Sequence, residues 1–301
     1  MPPRRRGGGA EAAEESEMKT SRLVLSCGCN QDCLFCDAGG VKRKDGAARQ
    51  AAALAAEPGP ARVNVTGGEP TLHPGLPGLV RRLKKGGKYV ALLTNGLRLA
   101  SADYLEELAG AGLDEVVLSF FESAPERYDA LAGVKGGFAK KEAALKNLRR
   151  AGIRTAVNFL VYSGNQSSAP ALVRELRKKY GVKDIVLSLL EPDCARVRAR
   201  RWLIPDAAAA LRSLSAIAGF RRKLGLRCML PAGGAVPLCV AEKLGLPCPA
   251  GEVSGADFQP RLRVKPAGVC SACPHSVSCP GFVKSYAVEM VKFLVARRRR
   301  G

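Results

Sequence analysis

The sequence predicts an α/β protein with a parallel sheet covered by helices, followed by a small Cys-rich C-terminal domain. Short apolar runs of strand character alternate with segments whose apolar residues recur at three- and four-residue spacings. Near-continuous apolar strands joined by helices are typical of parallel sheets. After about residue 225 this alternation stops and Gly, Pro and Cys become frequent, as in small domains organised by a metal or a cluster.

Each predicted element rests on this alternation, and glycines such as Gly152 and Gly181 are expected to end helices. The six predicted strands are Arg22–Ser26, Arg62–Thr66, Tyr89–Leu93, Glu115–Phe120, Arg154–Val161 and Asp184–Leu189. The helices between them cover roughly 45–56, 74–86, 102–111, 137–151 and 168–180, and two later helices cover 206–224 and 281–297. Since parallel sheets bind ligands at the carboxyl ends of their strands, the chemistry is expected there.

The pattern divides the chain into three parts. Residues 1–18 lack hydrophobic periodicity and are expected to form a disordered tail. Residues 19–225 form the core domain, and residues 226–301 form the Cys-rich domain with its C-terminal helix. The sequence contains neither an apolar run of 18 residues nor the apolar centre of a signal peptide, which predicts a cytoplasmic protein without a membrane partner.

The net charge of +21 raises the question of a nucleic-acid partner. Most of the excess lies in helical stretches, where solvated helix faces explain it. Two runs are denser, Arg196–Arg201 and Arg297–Arg300. They keep RNA as an alternative partner, although solvated charge is the favoured interpretation and no separate RNA-binding domain is visible.

Eleven cysteines are many for a cytosolic chain, and all but Cys194 cluster near the two ends. Disulfide scaffolds are typical of short secreted chains, so metal or cluster ligands are favoured. The first cluster, Cys29, Cys33 and Cys36, follows the first strand. Three thiolates can hold three irons of a 4Fe–4S cluster and leave the fourth open, whereas a structural zinc needs four ligands. Cys27 could be a fourth ligand, but it lies within the strand pattern and is expected to pack.

Two further motifs follow the next two strands. Gly67-Gly68-Glu69 allows close backbone approach to a ligand and offers a carboxylate to an ammonium. Thr94-Asn95-Gly96 follows the third strand. His73 lies beside these motifs and is interpreted as a positioning residue.

These motifs, in this order, resemble those of the radical S-adenosylmethionine (SAM) superfamily over residues 20 to about 290. The resemblance implies a partial (β/α)6 TIM-like barrel and a 4Fe–4S cluster on Cys29, Cys33 and Cys36. It also implies that the Gly67–Glu69 turn holds the amino group of SAM. Further SAM contacts are implied for the other positions that match the family: Thr94, Asn95, Ser119 and Asn158. A buried side chain bonded to backbone is an equally good interpretation of Ser119 and Asn158.

A second cysteine array, Cys270, Cys273 and Cys279, lies near the C-terminus. It suits a four-thiolate site completed from a distant loop, and zinc is a fair alternative there. The array resembles SPASM and twitch extensions, which implies an auxiliary 4Fe–4S cluster. The SPASM pattern has a further cysteine where this chain has Val283, so one cluster is expected. Cys239 is the preferred fourth ligand and Cys248 the alternative, while His275 could also be a ligand and Cys194 and Cys228 are interpreted as inert.

The resemblance implies an enzyme that cleaves SAM reductively to a 5′-deoxyadenosyl radical, with an electron donor such as ferredoxin or flavodoxin. The favoured substrate is a peptide or protein, and cofactor maturation or a small-molecule substrate remains open. Two alternatives are a radical SAM enzyme that modifies RNA and a non-catalytic iron–sulfur or zinc-binding protein. The ordered SAM motifs argue against the second, because a scaffold has no use for a SAM pocket.

Overall fold

The protein is described from a computed structural model, which covers residues 19–25, 28–36, 46–59, 61–192, 195–231, 233–248 and 263–296. Four features of the sequence lie outside the described residues: the predicted tail over 1–18, Cys27, Cys194 and the Arg297–Arg300 run.

The fold is built on a seven-stranded sheet in which every strand is parallel to its neighbours and the strands follow one another in chain order. This is the arrangement of a partial (β/α) barrel, so the predicted α/β class is confirmed. The strands are β1 (Lys19–Leu25), β2 (Ala61–Gly67), β3 (Tyr89–Thr94), β4 (Glu115–Phe120), β5 (Arg154–Val161), β6 (Asp184–Leu189) and β7 (Arg227–Met229).

Helices connect the strands and cover one face of the sheet. They are α1 (Ala47–Ala56), α2 (Leu76–Lys85), α3 (Ala102–Gly110), α4 (Pro125–Ala132), α5 (Gly137–Ala151), α6 (Ala169–Tyr180), the short α7 (Ala195–Arg198) and α8 (Ala207–Phe220). Helix α4 was not predicted, because Pro125 at its first turn and the left-handed Gly133 at its end enclose too few residues to show a clear period.

The two faces of the sheet differ in burial. Residues that point to the helices, such as Val63, Val157 and Leu187, are fully buried. Their neighbours in sequence point to the opposite, concave face and are only half-buried, among them Ser119 and Asn158. The concave face therefore remains accessible beneath the carboxyl ends of the strands.

Strand β7 corrects the prediction of six strands. It has three residues, pairs with β6 in parallel register from Asp184 opposite Arg227, and extends the main sheet past residue 225. Three residues with exposed Arg227 and Met229 around buried Cys228 are too few to show an alternation above chance.

A row of charged and polar side chains crosses the concave face near the amino ends of six strands, β2 to β7. Arg62 on β2 donates to Glu115 on β4 at 2.8 Å, and Tyr89 on β3 donates to the same carboxylate at 2.9 Å. On the other half of the sheet, Asp184 accepts two hydrogen bonds from the Arg227 guanidinium. Arg154 on β5 donates to the Tyr89 hydroxyl at 3.5 Å and lies 3.8 Å from Asp184, so the row links strands from one side of the sheet to the other.

The cysteine-rich segment packs against the end of the main fold. It contains α9 (Leu238–Leu244), β8 (Arg263–Val264), α10 (Ala267–Cys270), β9 (Phe282–Val283) and α11 (Ala287–Val295), with β8 and β9 antiparallel. Helices α9 and α11 pack on each other and on α8. The predicted final helix over 281–297 is therefore too long, because Phe282 and Val283 pair with β8 before the helix begins.

The stretch Arg201–Phe220 has the length and apolarity of a membrane span, on composition alone. In the fold its regular helix, α8, begins only at Ala207, and residues such as Leu211, Leu214 and Ile217 are buried in the protein core. The apolar composition of this stretch is thus explained by its packing within the domain.

Candidate functional site

The cysteine loop follows β1 and is held against α4. The Asp32 and Leu34 amides donate to the carbonyls of Ala132 and Leu131, both at 2.9 Å. The Phe35 ring packs edge-on against Phe121 with 4.9 Å between centroids. This loop, which carries the three predicted cluster ligands, is thus fixed by backbone bonds and by an aromatic contact.

The three thiols of this loop influence one another. Cys29 is exposed, whereas Cys33 and Cys36 are half-buried. Burial, together with the charges of Cys36 and Cys29, raises the pKa of Cys33 to about 12. Iron or another metal reverses this effect, because a bound cation stabilises thiolates.

No three Cys, His, Asp or Glu side chains among the described residues converge to metal-binding distance. A 4Fe–4S cluster does not need such convergence, because each thiolate binds a different iron. The donor set itself fits a cluster, since thiolates are the ligands that iron–sulfur clusters use.

Glu69 forms the centre of the site at the carboxyl ends of β2 and β3. It is 1% exposed, and one carboxylate oxygen accepts hydrogen bonds from the Thr71 and Thr94 hydroxyls, each at 2.6 Å. The other oxygen accepts from the Asn95 amide at 2.7 Å. A buried carboxylate held by donors in this way keeps its position.

Asn95 and Gly67 bring the three predicted motifs into contact. The Asn95 side chain donates to Asn30 at 2.7 Å and to the Cys29 sulfur at 3.7 Å. Gly67 has φ +145°, and a Cβ built on it would lie 2.0 Å from the Leu25 carbonyl oxygen. Because only glycine permits this approach, the ends of β1 and β2 lie close enough to join the cysteine loop to the Glu69 turn.

Lys141, on α5, lies at the site but was not predicted from the sequence motifs. Its fully buried ammonium donates to the carbonyls of Asn95 and Ser119, at the ends of β3 and β4. Burial lowers its pKa to about 7, against the opposing effect of Glu69 and Cys33. The available signal was a lysine on the apolar stripe of a helix, in line with Phe138, Ala144 and Leu148.

Ser119 and Asn158 lie opposite each other in the β4–β5 register, on the half-buried concave face. The Asn158 side chain accepts a hydrogen bond from Ser188 at 2.6 Å. His73 accepts from the Gly75 amide through Nδ1 at 3.1 Å, as expected of a residue that positions a turn. Ser119 and Asn158 thus sit side by side next to the site, while His73 stabilises the loop beyond it.

In the C-terminal segment, one of the two candidate fourth ligands lies near the whole array. Burial raises the pKa of Cys239 to about 11, and the charges of Cys279, Cys273 and Cys270 contribute to this shift. For Cys248 burial raises the pKa with a contribution from Cys279 alone. Of the two candidates, Cys239 is therefore the one whose thiol pKa is influenced by all three cysteines of the array.

Known proteins are similar in sequence to the part of the chain that carries this site. Residues 23–170 match the family model described as the radical SAM superfamily. The matched range, just under half of the chain, covers the cysteine loop, the Glu69 turn, Asn95 and Lys141, so this part of the chain is similar to the radical SAM superfamily.

Two curated relatives are similar to the chain over part of its length. The chain is 31% identical over 159 residues to the PqqA peptide cyclase of Ruegeria pomeroyi, covering 53% of this chain and 41% of the relative. It is 32% identical over 224 residues to the PqqA peptide cyclase of Streptomyces rochei, covering 73% and 57%. The chain thus spans about half the length of these relatives.

The fold is similar to the crystal structure of Streptococcus suis SuiB bound to S-adenosylmethionine. The TM-score is 0.59 at 16% identity, covering 73% of this chain and 52% of SuiB. At this identity the similarity establishes the fold alone.

Proposed function

We propose that the protein is a radical SAM enzyme that modifies a peptide or protein in the cytoplasm. The observation that carries the proposal is the Glu69 site, where the cysteine loop, the glycine turn and the Asn95 turn meet at one edge of the sheet. When bound on Cys29, Cys33 and Cys36, a reduced 4Fe–4S cluster supplies one electron to SAM, and cleavage of SAM yields methionine and a 5′-deoxyadenosyl radical.

The residues of the chain provide complementary charges for the methionine part of SAM. Glu69 offers a buried carboxylate to the ammonium, next to the backbone of Gly67 and Gly68. Lys141, whose buried ammonium donates to the Asn95 and Ser119 carbonyls, offers a positive charge to the carboxylate. Thr94 and Asn95 hold Glu69 in place.

The adenosine part of SAM is proposed to lie along the concave face. Ser119 and Asn158 offer polar groups there for the ribose hydroxyls. The sheet and the helices behind it exclude water from one side of the reacting atoms, which helps to protect a radical from side reactions.

A peptide or protein substrate is supported by the names of the curated relatives, PqqA peptide cyclases. The half-exposed concave face beneath the site leaves room for a side chain to approach SAM. An acidic electron-transfer protein such as ferredoxin or flavodoxin fits the net charge of +21 as electron donor.

The test is to purify the chain without oxygen, reconstitute it with iron and sulfide, and add dithionite and SAM. We expect 5′-deoxyadenosine, measured by liquid chromatography, and loss of this product in Cys33→Ala. A Cys228→Ala variant is the matched control, since Cys228 lies on β7 away from the loop. A reconstituted wild-type protein that forms no 5′-deoxyadenosine would contradict the proposal.

We further propose that the Cys-rich part of residues 226–301 is a SPASM- or twitch-like domain with one auxiliary 4Fe–4S cluster. Its ligands are Cys239, Cys270, Cys273 and Cys279. The choice is supported by the charges of the last three, which raise the pKa of Cys239. Zinc is the alternative metal, since four thiolates suit it equally.

Metal analysis separates these alternatives. About eight irons per chain indicate two clusters, whereas about four irons and one zinc indicate a structural zinc site. Cys239→Ser is expected to lose the second metal and keep the first cluster, while Cys248→Ser keeps both. The reverse result would assign the fourth ligand to Cys248.

A further inference from the structure

A basic and aromatic surface lies on the segment that follows β6. It consists of Arg198, Arg200, Arg201 and Trp202, and is called here the rim surface. Trp202 is the only tryptophan of the chain, and 61% of it is exposed to solvent. Tryptophan and arginine are the residues most enriched where proteins bind one another tightly.

The rim surface is fixed beside the mouth of the site. On one side, the neighbouring Arg196 forms an ion pair with Asp32 and donates to the Cys33 carbonyl at 3.0 Å, both in the cysteine loop. On the other side, Ser163, just after β5, donates to the carbonyls of Trp202 and Leu203. The segment therefore connects the cysteine loop to the end of β5 at the opening of the concave face.

The arginines of the rim surface keep their charge available. None of the ion pairs among the described residues includes Arg198, Arg200 or Arg201. Within the described part of the chain, the Arg200 side chain donates to one backbone carbonyl, that of Arg196, at 3.3 Å. Two exposed arginines, Arg198 and Arg201, the half-buried Arg200 and an exposed indole thus lie within five consecutive residues.

We infer that the rim surface docks an acidic stretch of the substrate peptide, with a bulky apolar side chain packed against Trp202. The inference rests on the proposed function, because it concerns the entry of a peptide to the same site. Carboxylates pair with guanidinium groups in a favourable geometry, and an apolar side chain covers the exposed indole.

The dimensions of the surface favour a peptide over RNA. A nucleic acid is bound by a long basic track that neutralises several phosphates and by more than one stacking platform. The rim surface offers one aromatic ring and three arginines over a single short segment, which matches a few residues of an extended peptide.

The test uses the full chain, reconstituted without oxygen, and a short glutamate-rich peptide with one phenylalanine and a fluorescent label. Anisotropy gives the affinity, and the emission of Trp202 reports binding at the surface itself. We expect binding that weakens with salt and falls about tenfold in the Arg198→Gln/Arg201→Gln variant. The matched control is Arg149→Gln/Arg150→Gln, which removes two exposed charges from a surface cavity at the far end of α5.

Charge reversal provides a second arm. Arg198→Glu/Arg201→Glu is expected to abolish binding of the glutamate peptide and to bind the matched lysine peptide instead. Equal affinity of the acidic peptide for the two glutamine variants would overturn the inference. So would a single-stranded RNA that changes Trp202 emission while the acidic peptide leaves it unchanged.

Formation of 5′-deoxyadenosine by the same wild-type preparation separates this inference from the proposed function. SAM cleavage without docking of the acidic peptide overturns only the inference that the rim surface binds the substrate. Docking without SAM cleavage overturns the proposed function and leaves the docking surface standing.

Discussion

Gly67 determines how closely β1 and β2 approach at the site. A Cβ at this position would lie 2.0 Å from the Leu25 carbonyl oxygen, and the φ of +145° is one that side-chain-bearing residues rarely adopt. Both effects oppose substitution, and the backbone oxygen cannot move without separating the strands. We expect Gly67→Ala to lower the free energy of unfolding by about 2 kcal/mol or more, measured by urea denaturation.

Gly78 gives the matched control. It lies in the exposed part of α2, and no atom lies within 4 Å of the Cβ that alanine would add. Gly78→Ala is expected to raise the free energy of unfolding by about 0.5–1 kcal/mol, because alanine favours the helix. If the two variants had equal stability, the close approach at Gly67 would not be the constraint.

Lys141 gives the cluster-free protein a distinct pH dependence. Its folded pKa of about 7 lies below that of an unfolded lysine, because the ammonium is buried. Between about pH 7 and pH 10 the unfolded chain therefore holds a proton that the folded chain has released, and this contribution raises stability as the pH rises. Lys141→Met is expected to lower the slope of unfolding free energy against pH by up to about 1.4 kcal/mol per unit.

Comparing the pH slope of each variant with that of the wild type cancels the contributions of titrating groups that both proteins retain. Lys140→Met is the control, because Lys140 is the exposed neighbour of Lys141 on the same helix. It is expected to keep the wild-type slope in denaturation series from pH 7 to pH 10. A Lys141 variant with an unchanged slope would contradict a depressed pKa.

At the scale of elements, one side chain secures the last helix. Lys243 on α9 donates to the carbonyls of Phe293, Leu294 and Ala296, at 2.6, 2.7 and 2.6 Å, at the end of α11. A cation at a helix C-terminus pairs both with unsatisfied carbonyls and with the helix dipole. We expect Lys243→Met to destabilise the protein by about 1–3 kcal/mol in thermal or urea unfolding.

Lys292 on α11 provides a control of the same chemistry. It forms an exposed i,i+3 ion pair with Glu289 at 2.7 Å. Lys292→Met is expected to cost less than about 0.5 kcal/mol, since exposed pairs contribute little. Similar losses in the two variants would show that Lys243 does not act through the helix end.

The elements that could be predicted from sequence are those long enough to show a period. Strands such as β5, with eight residues, repeat buried and half-buried positions several times. The three-residue β7 and the two-residue β8 and β9 do not, and only their pairing partners make them strands. Their partners lie far apart in sequence, so the chain near each strand holds no sign of them.

The same distinction applies to the candidate site. The cysteine loop, Gly67–Glu69 and Thr94–Asn95 are contiguous motifs, so they could be found by reading along the chain. Lys141 could not, because its role depends on carbonyls at the ends of two different strands. Charged residues on a buried helix stripe are the sequence pattern by which such a contact could be sought.

At the scale of the whole molecule, the row of charges on the concave face joins the two halves of the sheet. Asp184 is central to it, since it binds Arg227 on β7 and lies 3.8 Å from Arg154 on β5. We expect Asp184→Asn to lower the free energy of unfolding by about 1–3 kcal/mol, because a largely buried carboxylate loses its charge beside two arginines. Amide hydrogen exchange in β7 is expected to accelerate at the same time.

Asp103→Asn is the control for this variant, because Asp103 is exposed in the first turn of α3. Its substitution is expected to change stability by about 0.5 kcal/mol or less and to leave exchange in β7 unaltered. Exchange in β7 that is insensitive to Asp184 would mean that the short strand is held by its backbone bonds alone.

In the proposed function, the bonded carboxylate of Glu69 also determines the thermodynamics of SAM binding. Thr71, Thr94 and Asn95 already hold it, so this side chain is ordered before any ligand arrives. Little backbone then needs to become ordered on association, and the entropy lost is mostly that of the ligand itself. The heat-capacity change of capture should therefore scale with the apolar area that the small molecule covers, and should lack the large negative value of a coupled folding reaction.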